Sequence, residues 1–312
     1  MSMLGNQKER AEERVATAAP GMAESLAGGR QARRGQWARS WRRFKRYKPA
    51  LVGLGFLAIL AVIALIPSVF APYAPNLAQP EFLGQAPSWA HPLGFDEIGR
   101  DELSRIIYGT RIALLVAILA TLLAVTIGVI VGATAGYFGG WVDSVLSRLV
   151  DTIMAFPTLA LLIALVAVIG PSLKTTIIVI GATVWAAYAR VARADVLSVR
   201  ERDYVLAARA AGANDRRIIF RHVVPNVLGP IIVLSTLAVG SIIILEAALS
   251  FLGLGVQPPT SDWGNMLASG RAYIVTYPHI VIAPGVMISL TVLAFNLIGD
   301  GLRDALDPRQ RD

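Results

Sequence analysis

The sequence predicts an all-α protein that crosses a lipid bilayer six times. Three observations carry this. The 312 residues are 55% hydrophobic and only 16% charged, whereas a soluble domain carries about a quarter charged residues. The apolar residues fall into blocks of about twenty, the length a helix needs to cross hydrocarbon. Lys and Arg crowd into two of the polar segments and are sparse in the others. In lipid every backbone polar group must be satisfied internally, which favours helices, and the alternation of a membrane barrel is absent. The net charge of +8 is read as the positive-inside bias of a membrane protein, not as a nucleic-acid signal. With no cysteine there are no disulfides and no thiolate chemistry. His91, His222 and His279 lie far apart without metal-ligand spacing. No G-x-x-x-x-G-K-[ST] loop occurs, so no nucleotide site is expected in this chain.

Residues 1–29 are rich in Ala, Gly, Glu and Arg and read as disordered. In residues 30–49, RQARRGQWARSWRRFKRYKP, Trp37, Trp41 and Phe44 share one helical face among basic residues. That pattern suits a helix lying on anionic headgroups; a nucleic-acid arm is the weaker alternative. Residues 1–49 are thus a cytoplasmic extension, 50–309 a transmembrane domain and 310–312 a tail. The first span is about residues 50–70, with Pro67, Pro72 and Pro75 at its exit. Its long charged flank argues against a secretory signal. A polar loop follows, and Asp101 is placed to cap the helix leading into the second span, 112–137. Gly128, Gly132 and Gly136 recur every four residues there, a small face that lets another helix come close. GGWVDSVLSRLVD, 139–151, is a short amphipathic connector. The remaining spans are 152–169, 174–188, 227–252 and 280–298, with a polar loop at 253–278.

Orientation follows from basic residues. The N-terminal segment has 12 Lys and Arg and the island Arg190 to Arg221 has 8; the loop before the second span has 3, and the 170–174 turn and the 253–278 loop have 1 each. The rich segments are assigned to the cytoplasm and both chain ends with them.

The island itself, RERDYVLAARAAGANDRRIIFRHVVPN (200–226), can neither enter lipid nor form a core alone. Two short helical patterns meet at Gly212: small and apolar over 204–211, then basic and amphipathic over 214–222, closed by Pro225. Such a segment needs a partner on the water side. Ala207-Ala208 with Gly212 four residues on resembles the EAA loop of permease subunits of bacterial ABC importers. HPLGFDEIGRDELSRIIYGTRIAL, GYFGGWVDSVLSRLVDTIMAFP, LEAALSFLGLGVQPPTSDWGNML and NLIGDGLRDALDPR narrow the resemblance to the C-type permease of dipeptide and oligopeptide importers, over residues 50–309.

The resemblance implies a MetI-like ABC permease fold in the bacterial inner membrane, forming half of a pore with a B-type permease subunit. It also implies two ABC ATPase subunits, which bind the ATP and Mg, and an extracytoplasmic substrate-binding protein. The chain itself would bind no cofactor and catalyse no bond chemistry. Tyr204, Val205, Leu206, Ala207, Ala208, Ala211, Gly212, Arg216 and Arg217 would form the helix that docks on the ATPase. Leu206 stands where the motif carries its Glu, with Glu201 and Asp203 nearby. Glu246, an acid inside a span, and Ser241 are candidates for the translocation path or outer gate; for Glu246 the preferred reading is a brace for the 253–278 loop. Asp96, Glu97, Arg100 and Trp263 are candidates for contact with the binding protein, with helix capping and interface anchoring as the plain alternatives. Relatives of this kind carry peptides, nickel chelates, glutathione or glycosides. A secondary transporter, which would carry paired mid-membrane charges and repeated broken helices, and a membrane scaffold are the remaining classes.

Overall fold

The computed structural model describes residues 41–306. The expected disorder of 1–29 and Trp37 of the basic helix lie outside this range. Contacts divide the chain into two units: residues 49–303, and the flanking residues. In the flanking unit, residues 41–46 are helical. Trp41 stacks on Phe44 with centroids 5.7 Å apart, and Lys45 lies over the Trp41 ring.

The spanning helices are long because their apolar residues are uninterrupted. We label them α1 (Lys48–Leu65), α2 (Pro67–Phe70), α3 (Glu102–Phe138), α4 (Gly140–Ala155), α5 (Thr158–Ile169), α6 (Leu173–Arg200), α7 (Asp203–Ala210), α8 (Asp215–Ile218), α9 (Val224–Phe251), α10 (Trp263–Gly270) and α11 (His279–Leu306). Among the described residues, five helical stretches are long and apolar enough to span, one of them running through from Asp215 to Phe251. The pair α4–α5, bent by 90°, makes a sixth if it counts as one broken span. The third span expected at 152–169 is this pair. Pro157 lacks an N–H and disfavours helix in the residue before it, so the chain turns at Phe156. The twelve residues of α5 reach about 18 Å at 1.5 Å each, too short for about 30 Å of hydrocarbon.

The helix α3 is the axis of the bundle; its 37 residues extend about 55 Å. Asp101 caps it as expected, its carboxylate accepting from Ser104 N at 2.7 Å. The glycine face of α3 packs against α6 within the chain. A Cβ on Gly128 would lie 2.5 Å from Tyr188 Cβ, and on Gly136 2.9 Å from the Arg193 carbonyl; on Gly132 it would strike the Ala189 carbonyl. The seam is closed by Trp185, Ala189, Ala192 and Val196, and a second core joins α3, α5, α6 and α9 through Ala117, Leu162, Ile180 and Ile243. On α1, Gly53 admits the backbone of Ala294 of α11: a Cβ would lie 2.8 Å from its carbonyl oxygen. Large apolar side chains such as Val52, Ile59, Ile118, Leu122, Ile282 and Leu293 remain exposed, the surface of a chain solvated by lipid or by a partner.

Candidate functional site

Two polar regions sit about 55 Å apart at the ends of α3. The basic island surrounds its C-terminus. Arg200 donates from Nη1 to the Gly136 carbonyl at 2.8 Å, satisfying one of the orphan acceptors at the helix end. Arg193 pairs with Asp143 of α4 through two contacts, Nη2 to Oδ2 at 2.7 Å and Nε to Oδ1. Arg190 pairs with Asp151 at 2.7 Å. The connector thus supplies the carboxylates that hold α6.

Beyond Arg200 the chain folds into a helical hairpin. Its first arm, α7, ends because Gly212 takes φ +80°, a left-handed conformation open to glycine. Gly212 N bonds to Arg209 O at 3.0 Å and Ala213 N to Ala208 O at 3.1 Å, a helix stop of Schellman type. Asn214 then caps α8, its side chain accepting from Arg217 N at 2.9 Å. A π-turn over Ile219–Val223 joins α8 to α9. The expected stop at Pro225 does not occur: Pro225 falls in the first turn of α9, where no N–H is required of it.

Val205 and Ile218 are fully buried in the cluster formed by Val196, Val199, Val223 and Val227. Val205, expected to be exposed for docking, is instead the anchor of α7, because it lies on the one stripe of the helix turned toward the core. The outward face carries Tyr204 and Leu206, both about half exposed, with Ala207, Ala211 and Gly212 beside them; Ala208 is half-buried. Arg216, Arg217, Asn214 and Phe220 line a shallow cleft next to it.

At the other end of α3 the charged cluster is turned inward. Arg100 Nε meets Asp96 Oδ2 at 2.5 Å and its Nη2 meets Glu97 Oε1 at 3.0 Å. Arg105 Nε lies 3.3 Å from Asp96 Oδ2, and His91 Nδ1 lies 2.8 Å from Asp101 Oδ2. Asp96, Arg100, Asp101 and Arg105 are buried. Trp263 is 1% exposed; its Nε1 donates to the Ile106 carbonyl at 3.1 Å, and its ring leaves no room for a Cβ on Gly109. Asp96, Arg100 and Trp263 are thus internal struts of the loops at this end of α3, because buried charges and indole N–H groups must find partners; Glu97 retains partial exposure.

Glu246 is also fully buried, and it braces the loop. Ser250 Oγ donates to Glu246 Oε1 at 2.9 Å, and the Asp262 carboxyl packs against both. Asp262 in turn caps α10, accepting from Asn265 N at 3.1 Å. Burial pushes the Asp262 carboxyl above its ordinary range, opposed by the polar groups beside it, among them the Asn265 N–H whose hydrogen bond it accepts. Ser241 is exposed and shares no contact with Glu246, since five residues along a helix place them about 140° apart. Asp262 carries no recognisable sequence signal beyond its capping position, sixteen residues from Glu246.

The whole is a multi-span helical membrane subunit with an anchored hairpin at one end and a braced loop region at the other, and no enzymatic constellation among the described residues. The chain belongs to the family of inner-membrane components of binding-protein-dependent transport systems, whose family model matches residues 124–312, and it is a permease subunit of an ABC transport system. Residues 35–87 match the N-terminal transmembrane domain of oligopeptide transport permease C. The dipeptide transport system permease protein of Alkalihalophilus pseudofirmus is 44% identical over 227 residues, covering 73% of this chain and 75% of that protein. The glutathione transport system permease protein of Pectobacterium atrosepticum is 43% identical over 274 residues, 88% of this chain and 91% of that one. The di/tripeptide permease protein of Pseudomonas aeruginosa is 44% identical over 248 residues, 78% of this chain and 82% of that protein. An inward-facing structure of a methionine ABC transporter superposes with a TM-score of 0.54 at 17% identity, covering 65% of this chain and 96% of that chain; it supports the MetI-like fold.

Proposed function

We propose that this chain forms half of the pore of an ATP-driven importer of short peptides, and that the 203–222 hairpin couples the pore to an ATPase subunit in the cytoplasm. The observation that carries the coupling role is the hairpin's construction. One stripe is fixed by Val205 and Ile218 in the core, while Tyr204, Leu206, Ala207 and Ala211 face outward on the far side. Small residues there let a helix lie deep in a groove. Leu206 makes the centre of that face apolar, so its complement on the ATPase would be apolar too. Glu97, paired with Arg100 but less buried than Asp96 and Arg100, remains the candidate contact for the binding protein.

In the mechanism this reading implies, nucleotide binding on the ATPases moves the hairpins, the two permease subunits open outward to receive substrate, and hydrolysis resets them. A B-type subunit completes the pore; ATP and Mg reside on the ATPases. The names of the relatives favour di- and tripeptides. Glutathione is the second reading, favoured by the 88% of this chain that the glutathione permease covers.

The test is uptake by proteoliposomes holding the complete complex, with labelled dipeptide and glutathione in competition. Gly212→Val puts a β-branched residue at φ +80°, with strain of about 1–3 kcal/mol. Uptake should fall at least about tenfold while hydrolysis continues; unchanged uptake would remove the coupling assignment.

A further inference from the structure

We propose that Tyr137, Arg209 and Asp215 form a latch that makes the hairpin move as one body with α3. This rests on the docking role given above. Tyr137 is the penultimate residue of α3 and is 6% exposed. Its hydroxyl donates to Asp215 Oδ1 at 2.6 Å and accepts from Arg209 Nη2 at 3.3 Å. The Arg209 guanidinium also lies over the Tyr137 ring, 5.6 Å from its centroid. Arg209 stands in the last turn of α7 and Asp215 opens α8. One hydroxyl therefore grips both arms of the hairpin, on either side of the Gly212 turn, across sequence separations of 72 and 78 residues.

The apolar anchors do not supply this register. Val205 and Ile218 hold the hairpin to the core through burial, which is non-directional and tolerates rocking. Hydrogen bonds to charged groups are directional and stronger. Arg209 and Asp215 are themselves exposed, so water can solvate them when the latch is absent, and exposed charge contacts contribute little to folding. Removing the hydroxyl should therefore spare the fold and loosen the mechanical link. One residue earlier, Arg200 ties the Gly136 carbonyl to the end of α6. The last turn of α3 is thereby joined both to the helix entering the hairpin and to the hairpin itself. Tyr137 is a positioning residue, acting through the hairpin, and Arg209 and Asp215 are its two grips.

The experiment uses proteoliposomes with the full complex and the labelled dipeptide, or glutathione if that is what the wild-type complex carries. Tyr137→Phe keeps the ring and deletes the hydroxyl. Assembly and ATP hydrolysis should persist, and substrate imported per ATP hydrolysed should fall about threefold to tenfold. Asp215→Ala should do the same. Asp215→Asn, which keeps an acceptor oxygen, should retain the wild-type ratio; a purely structural role would not separate these two. An unchanged ratio in both Tyr137→Phe and Asp215→Ala overturns the latch. If Tyr137→Phe does not assemble, the exposed Asp215→Ala decides. The chain has no native cysteine, so Leu206→Cys gives a unique handle for cross-linking to the ATPase. A cross-link with an unchanged ratio refutes the latch alone; no cross-link refutes docking, and the latch with it.

Discussion

Adjacent residues of α7 have opposite surroundings. Val205 is fully buried and Leu206 is 48% exposed, because a step of about 100° along the helix carries a side chain from core to surface. Val205→Ala should lower the stability of the solubilised complex by about 1–3 kcal/mol through lost burial and a residual cavity, read as a lower Tm. Leu206→Ala should leave the Tm unchanged and weaken ATPase association, measured by binding in detergent. The reverse pattern would exchange their roles. In the sequence both residues read as apolar members of one short helix; which one anchors depends on where Ile218 and Val223 close the cluster, and no local spacing encodes that.

Among the elements, the loop 253–278 shows what a spanning acid does here. Glu246, Ser250 and Asp262 join α9 to the start of α10, and Trp263 joins α10 to α3. The raised Asp262 carboxyl gives this brace a pH dependence. A carboxyl whose folded value is raised holds its proton in the native state after the unfolded chain, at about pH 4, has lost it. Its contribution is complete below that pH and is lost as pH rises through the folded value. Thermal unfolding of the complex from pH 4 upward should therefore show a declining Tm, and Asp262→Asn should flatten that slope; equal slopes would show that the brace does not titrate. Ser250 and Glu246 are the groups facing Asp262, so Glu246→Gln is the companion variant. Glu246 packs against Ser250 and Asp262 at the edge of this loop, and Asp96, Glu97 and Arg100 pair with one another. Periodicity could not show these pairings, because a surface charge and a buried pair have the same letters.

At the scale of the whole molecule, orientation in the bilayer is open to direct measurement. Trp89 is fully exposed in the loop before α3, and Leu206 lies at the other end of that helix. In the cysteine-free background, Trp89→Cys should react with an impermeant maleimide in right-side-out vesicles, and Leu206→Cys only after permeabilisation. Inverted labelling would reverse the proposed topology. The class of molecule was determined by sequence alone: twenty-residue apolar blocks point to spanning helices, and the EAA-like stretch with its flanking segments pointed to the permease family, while the uneven Lys and Arg give the direction that the labelling tests. Asp101 as cap, Gly212 as turn and the small face of Gly128, Gly132 and Gly136 were legible too, since each follows from local backbone chemistry or helical period. Tertiary structure decided what depends on distant partners: the passage through Pro225 by a π-turn, the burial of Asp96, Arg100 and Trp263, and the meeting of Tyr137 with Arg209 and Asp215. Hydrogen bonds and ion pairs form between whatever groups the packing of long helices brings together, and residues 72 to 78 apart carry no mutual signal until α3 and the hairpin are side by side.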